Sequence, residues 1–244
     1  VDVDHAADVL AADLRGGLRL AEKPLHGLAI LASAGAEQLE RDPAVELLVV
    51  GLDDQAHAAL TDEPDDNFMQ FPHLDLLDLY VRDDADLLYL AITVADDVYA
   101  AGWGQFMIYL DTTEDDQGGA VDVDNRPITV TTPYQPEFRL DLRVMDWKGT
   151  AGSSFEFYAW NGAEWENPAL PLGTAVQPGT PSVIELALPK ALLGNPAFVN
   201  VAVVSTGRGR AHTAGDVLGS SASITDWADP VDLADFGHYA LSQP

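Results

Sequence analysis

Residues 87–124, LLYLAITVADDVYAAGWGQFMIYLDTTEDDQGGAVDVD, decide the fold of this chain. Residues 87–94 are rich in aliphatic and β-branched side chains and predict a strand, and residues 105–110 predict a second one. Strands this apolar must be covered on at least one face. The rest of the chain therefore has to supply further strands that pack against them.

The second of these strands runs into a loop that carries only acidic charges. Its six acids are Asp111, Glu114, Asp115, Asp116, Asp122 and Asp124. A loop with this charge must face water, a cation, or both. Closely spaced aspartates with glycines for turning supply the oxygen ligands that calcium prefers, although the spacing is not that of an EF-hand. We therefore predict a calcium site at Asp111, Asp115, Asp116, Asp122 and Asp124, with solvated acidic loops as the alternative.

The second half of the chain reads as β-structure. The predicted strands are residues 76–82, 87–94, 105–111, 127–131, 137–144, 154–160, 182–188, 198–205 and 236–241. The cleanest alternation of apolar and charged residues lies at 137–144, which predicts a strand with one buried and one wet face. A single helical turn is predicted at 189–193, stopped by Gly194. This many strands with turn signals between them indicate a β-sandwich.

The composition of the chain disfavours or excludes several classes of function. The chain has 244 residues, of which 47% are hydrophobic, and its formal net charge is −28 from 40 acids and 12 bases. A surface this acidic disfavours nucleic acid and anionic membranes as partners, but it leaves cations, neutral polymers and basic proteins. Cysteine is absent, which excludes disulfides, thiolate nucleophiles and Cys-based metal sites. No apolar run approaches the roughly 18 residues of a membrane span, so we predict no membrane insertion.

Residues 1–60 show a different pattern, which predicts strands and helices in the order β-α-β-β-α-β of the ferredoxin-like split motif. Within them, the stretch PLHGLAILASAGAEQLERDPAVELLVVGLDDQAHAAL (24–60) resembles the propeptide, or inhibitor, domain of subtilisin-type proteases. The resemblance implies a docking module whose last segment lies in a partner's groove as an added strand. That docking tail corresponds to Asp53, Asp54, Gln55, Ala56, His57, Ala58, Ala59 and Leu60. The alternative is an ordinary small α+β domain followed by a linker.

A second resemblance covers almost all of residues 68–244. It rests on DLLDLYV (75–81), DDADLLYLAI (83–92), IYLDTT (108–113), IELALP (184–189) and TDW (225–227). These segments resemble DOMON-like and carbohydrate-binding sandwiches, in particular the C-terminal module of glucodextranase-type amylolytic enzymes. The resemblance implies a non-catalytic extracellular module, often with calcium and sometimes with affinity for sugars.

A candidate sugar patch surrounds the predicted hairpin turn at Asn161-Gly162. Its residues are Trp160, Asn161, Glu164 and Trp165. Sugar rings stack on flat aromatic faces, and acids and amides bind their hydroxyls. The alternative is that the tryptophans pack into the core or along its edge.

Together these observations predict an α+β small ferredoxin-like domain (1–60), an acidic linker (61–67) and an all-β sandwich (68–244). The chain begins with Val1 rather than Met, which we interpret as a mature chain that has lost its leader on export. We therefore expect a non-catalytic protein that is extracellular or on the cell surface, with calcium as its only expected cofactor.

Three functions remain open at this point. In the first, the propeptide-like domain of one copy docks on the next copy, head to tail, and builds an extracellular polymer. In the second, the sandwich binds a polysaccharide as an accessory module. In the third, the chain inhibits or chaperones a subtilisin-like protease encoded elsewhere. The first is favoured because a propeptide fold is a device for protein docking, and no subtilisin triad signature follows it.

Overall fold

The computed structural model describes residues 57–242, apart from 65, 69, 132, 147–150, 169–172 and 221–223. The expected ferredoxin-like domain lies outside these residues, except for positions 57–60 at its end. In the part that is described, no helix is long and apolar enough to cross a bilayer.

The described residues form fourteen strands. They are β1 (His57–Thr61), β2 (Leu76–Asp83), β3 (Leu87–Val94), β4 (Trp103–Asp111), β5 (Ile128–Val130), β6 (Phe138–Asp146), β7 (Ala151–Trp160), β8 (Trp165–Glu166), β9 (Gly173–Gln177), β10 (Ser182–Pro189), β11 (Phe198–Thr206), β12 (Ala214–Val217), β13 (Val231–Leu233) and β14 (Gly237–Ala240). Two short 3-10 helices, Pro72–Leu74 and Lys190–Leu193, complete the regular structure. The expected all-β domain is confirmed.

Two antiparallel sheets make up the body of the fold. The first sheet has the order β1-β2-β3-β10-β9, and the second has the order β12-β11-β4-β6-β7-β8, with β14 also paired to β11. A short parallel pair, β5 with β13, stands apart from both. Because alternate residues of a strand point to opposite faces, each sheet has one face available for packing against the other.

The main core lies between the two sheets. The first sheet contributes residues such as Leu79, Leu90 and Leu186, and the second contributes residues such as Ile108 and Leu142, all of them buried. Burial of this kind is the main favourable term in folding. It fixes which face of each strand points inward and therefore which side chains of the second sheet point outward.

The outward face of the second sheet is also covered, although only in part by apolar residues. Met107 and Tyr109 on β4 pack in a second cluster that includes Ile128, Val130 and Val231 from the parallel pair. The segment between β4 and β6 thus folds back over the sheet from which it leaves. This return of the chain positions the candidate site described below.

The predicted strands are confirmed with small shifts at their ends. The helical turn is confirmed at Lys190–Leu193, where Gly194 adopts a positive φ of 80° that a glycine accommodates without strain. The sequence analysis missed β1, β8, β9, β12 and β13. Residues 61–67, expected to be a linker between domains, lead from β1 to β2, and these two strands pair within one sheet.

Candidate functional site

The best-defined polar site lies on the outward face of β6. Its charged residues Arg139, Asp141 and Arg143 alternate with core residues, as the sequence predicts. The expected wet face is nevertheless wrong at Arg139 and Asp141, because both side chains are fully buried. The returning segment between β4 and β6 covers them, and it brings Asp122 and Asp124 onto the arginines.

Arg139 is the centre of this network. Its Nη1 donates to Asp122 Oδ1, and its Nη2 lies 3.0 Å from Asp141 Oδ2 and 3.5 Å from Asp124 Oδ2. The Tyr109 hydroxyl donates to the same Asp122 oxygen at 2.8 Å. Every charge here has an opposite charge beside it, which is the condition under which charges tolerate burial.

Burial and neighbouring charges shift the pKa values of Arg139 and Tyr109. Burial by itself lowers the pKa of Arg139, but Tyr109 and the neighbouring carboxylates of Asp141 and Asp122 outweigh it and raise that pKa. Burial, followed by the charge of Asp122, raises the pKa of Tyr109 well above its usual value. Arg139 is therefore a permanent cation, and Tyr109 remains a neutral donor.

Arg126 extends the network to the loop after β11. Its Nη1 donates to the carbonyl oxygens of Gly209 at 2.7 Å, His212 at 3.1 Å and Gly207 at 3.3 Å. Arg210 in that loop places its Nε 3.7 Å from Asp124 Oδ1. This pair brings a base of the loop after β11 against an acid of the returning segment.

The predicted calcium ligands do not converge. Asp122 and Asp124 pair with arginines, whereas Asp111 lies elsewhere, fully buried, with both of its oxygens occupied. Asp111 Oδ1 accepts from the backbone N–H of Glu114 at 3.0 Å, and its Oδ2 accepts from Asn200 Nδ2 at 2.7 Å. Each oxygen of Asp111 thus accepts from an N–H donor, and Asp111 belongs to no group of three close carboxylates within the described residues.

The remaining two predicted ligands only shape the loop. Asp115 Oδ1 accepts from the backbone of Gln117 at 2.8 Å, and Asp116 Oδ1 accepts from the Gln117 side chain at 2.6 Å. The loop passes so close to its neighbours that a Cβ at Gly118 would lie 1.9 Å from the carbonyl oxygen of Gln135. Guanidinium groups, rather than calcium, are the cations that Asp122 and Asp124 face.

Within the described residues, one group of three carboxylates lies close enough to hold a metal ion. It consists of Asp62, Asp66 and Asp216, whose ligand atoms all lie within 4.8 Å of one another. Asp62 follows β1, Asp66 lies in the connection to β2, and Asp216 lies on β12. Asp62 and Asp66 lie in the acidic segment 61–67 that the sequence indicates, but Asp216 is isolated in the sequence and was missed.

Burial and mutual repulsion govern these carboxylates. Burial, with repulsion from Asp66, Asp62 and Asp75, raises the pKa of Asp216 to about 8. Burial and nearby acids also raise the pKa of Asp62 to about 6. Asp216 Oδ2 accepts from the backbone N–H of Leu76 at 2.7 Å, and Asp62 Oδ2 accepts from Gly219 at 2.9 Å. Protonation or a cation relieves this repulsion.

The candidate sugar patch is brought together, and its hairpin turn is confirmed. Trp160 and Trp165 lie edge to face with ring centroids 5.6 Å apart. The Trp165 indole Nε1 donates to the carbonyl oxygen of Val121 at 2.9 Å, and its ring lies so close to Gly119 that a Cβ there would be 2.3 Å from it. Trp165 thus contacts the acidic loop through both its indole N–H and its ring.

The polar members of that patch are also used by the turn itself. Asn161 Oδ1 accepts from the backbone of Ala163 and Glu164, both at 3.0 Å, and Asn161 Nδ2 donates to Glu166 at 2.6 Å. Glu164 is exposed. The patch is therefore better described as a stabilised hairpin than as a formed sugar site.

The described half of the docking tail lies in a strand. Residues 53–56 are outside the described part, and His57–Thr61 form β1 at the edge of the first sheet, paired with β2. Ala58 lies opposite Tyr80 and Thr61 lies opposite Asp78, with a bulge between Ala58 and Leu60. The resemblance implies a strand added in a partner's groove, whereas here β1 pairs with β2 of its own chain.

Comparison of the chain with family models, with curated proteins and with solved structures found no match in any of the three. The function is therefore argued from the geometry of these sites.

Proposed function

We propose that this protein is a non-catalytic extracellular subunit that assembles with other copies of itself, by pairing β1 of one copy with β2 of the next. The observation that carries the proposal is the position of β1. It is the terminal strand of the first sheet, and among the described strands β2 is its only ladder partner.

The way β1 is attached supports exchange between copies. Residues 62–75 connect it to β2, although the two strands are antiparallel neighbours that a hairpin loop of about two to five residues could join. The connection contains Pro64 and several acids, and its carboxylates repel one another near Asp216. A long connection between adjacent strands gives an edge strand the reach to pair with a neighbouring molecule instead.

The same pairing between copies would build a polymer. A strand donated at one place on the surface and accepted at another is a heterologous contact, and such contacts form open filaments unless the rotation closes a ring. Main-chain hydrogen bonds supply the affinity in this mode, and Leu60 contributes apolar contact because it packs against the main core.

A pair of engineered cysteines tests the proposal, since the chain has no cysteine of its own. Ala58→Cys with Tyr80→Cys places thiols on residues that lie opposite each other on β1 and β2. Directly opposite residues have Cβ atoms about 5 Å apart, close to what a disulfide needs. Exchange predicts a ladder of covalent oligomers on non-reducing gels that grows with protein concentration before oxidation.

The matched control is Ala91→Cys with Glu185→Cys, an opposite pair on the central strands β3 and β10. This pair should form its disulfide within one copy at every concentration. The proposal fails if the Ala58/Tyr80 pair also yields only single-copy disulfides and negative-stain microscopy of the unmodified protein shows dispersed monomers. That result would instead favour glycan binding as the function.

A further inference from the structure

A cleft opens on the second sheet, beside the buried arginine network. It has a volume of about 180 Å³ and lies between the ends of β4 and β6 and the loop after β11. Its lining residues are Gly104, Gln105, Asp124, Arg126, Arg143, Val144, Arg208 and Arg210. A cavity of this size holds about six water volumes, which suits a small ligand rather than a polymer.

The charge of the cleft is opposite to that of the protein. The chain has a net charge of −28 and only 12 basic residues, yet four of them, all arginines, line this one cleft, with Asp124 as the one carboxylate in its lining. Asp141 and Glu156 also pair with Arg143, at 3.1 and 3.0 Å. Clefts lined by an excess of one sign of charge concentrate counter-ions of the other sign, so the excess of arginines favours an anion here.

The arginines are held in place before any ligand arrives. Arg126 is almost fully buried and holds the loop after β11 through the carbonyl oxygens of Gly207, Gly209 and His212. The loop packs closely on His212 at both glycines: a Cβ would lie 2.3 Å from His212 Nδ1 at Gly207, and 2.8 Å from His212 Nε2 at Gly209. The His212 ring is itself stacked on Trp227, with centroids 4.6 Å apart.

The same loop carries the two exposed arginines of the cleft. Arg210 has an 80% exposed side chain, and its Nε approaches Asp124 at 3.7 Å, which is longer than a hydrogen bond. Arg208, two residues earlier, is also exposed. The loop thus places two exposed arginine side chains in the lining of the cleft.

We propose that this cleft binds a small ligand through an oxyanion group, a phosphate, sulfate or carboxylate, which Arg208 and Arg210 contact from the rim and Arg143 from the floor. Arginine is suited to this role because its fork of N–H donors matches the oxygens of these groups. The site does not involve β1, so this proposal does not depend on the assembly proposal and is tested separately from it.

Calorimetric titration tests this with inorganic phosphate, sulfate and succinate as separate ligands, at constant ionic strength set with chloride. We expect saturable binding of one ligand per chain, and the tightest of the three identifies the oxyanion. R208Q/R210Q should weaken it by at least about tenfold, since hydrogen bonds to charged groups contribute this much. Asp124→Asn should tighten it, because the competing carboxylate is removed.

Two matched controls separate the cleft from the overall charge. Arg82→Gln on β2 removes an arginine from the other sheet, and Asp235→Asn removes an exposed acid elsewhere. Neither should change the affinity more than about twofold. The proposal is overturned if none of the three anions binds above the chloride background, or if R208Q/R210Q binds as the unmodified protein does while circular dichroism shows it folded.

Discussion

Arg139 donates from Nη2 to Asp141 Oδ2 over 3.0 Å, two residues further along strand β6, and neither side chain is exposed. Residues two apart on a strand share a face, so the pair follows from the alternation of β6. What the strand alone does not supply is cover for that face. Asp122 and Asp124 arrive from the returning segment and complete the charge balance around Arg139.

Arg139→Leu should destabilise the fold strongly. Removing the guanidinium leaves Asp122 and Asp141 buried beside an uncharged side chain, and breaking a buried pair in this way costs about 3–5 kcal/mol. Urea unfolding followed by circular dichroism measures the loss. The matched control is Arg210→Leu, an exposed arginine of the same network, whose effect should stay within about 1 kcal/mol. Equal effects of the two would show that the network does not stabilise the fold.

Nine of the fourteen strands were predictable because their alternation or apolar run depends only on neighbouring residues. Alternation at β6 placed Arg139 and Asp141 on one face. The cover over that face was not predictable, because it depends on Asp122 reaching a strand that begins sixteen positions later. The charged residues at alternate positions of β6 therefore predicted a solvent-exposed face. In the folded chain, carboxylates cover that face instead.

Asp216 was missed for a related reason. It is the only acid in its strand, AGDV, and nothing nearby in sequence suggests a cluster. Its neighbours Asp62 and Asp66 come from the connection between β1 and β2, which was interpreted as a linker. β1 itself has only five residues, HAALT, and offered no alternation of apolar and polar residues.

Stability should fall as the pH rises from about 4 to about 8. Burial and the neighbouring acids raise the folded pKa of Asp216 to about 8, above its usual value of 3.8, so in this window the folded chain holds a proton that the unfolded chain has lost. Unfolding then releases a proton, and the stabilisation is full below pH 4 and lost by pH 8. Asp62, with a pKa raised to about 6, contributes to the same loss of stability in the lower part of this pH range, up to about pH 6.

Asp216→Asn isolates this effect from the general repulsion of an acidic protein. The amide resembles the protonated acid and still offers an oxygen to the N–H of Leu76. The variant should lose much of the dependence on pH between 4 and 8 and be the more stable protein at pH 8. Urea unfolding at four pH values decides it, and an unchanged slope would show that Asp216 titrates normally.

Trp165 should act as a support for the acidic loop. Its indole donates to Val121 and its ring lies against Gly119, so Trp165→Ala removes both contacts and should destabilise the fold by about 2–3 kcal/mol. Gly119→Ala, which forces a methyl group toward the ring, should shift the tryptophan fluorescence with a similar loss. Retention on glucan columns that disappears in Trp165→Ala while the melting temperature stays the same would instead favour a sugar site.

Calcium should distinguish the two acidic regions of the chain. The grouping of Asp62, Asp66 and Asp216 leads us to expect that any stabilisation by calcium acts there and not in the loop after β4. Because a cation binds the ionised carboxylates, calcium should raise the melting temperature more at pH 8 than at pH 5. Asp216→Asn should abolish the difference, whereas Asp115→Asn with Asp116→Asn, which alters only loop-shaping side chains, should preserve it. The reverse pattern would indicate that calcium binds in the loop after β4. Equal melting temperatures with calcium and with a chelator, at both pH values, would show that calcium does not stabilise this protein.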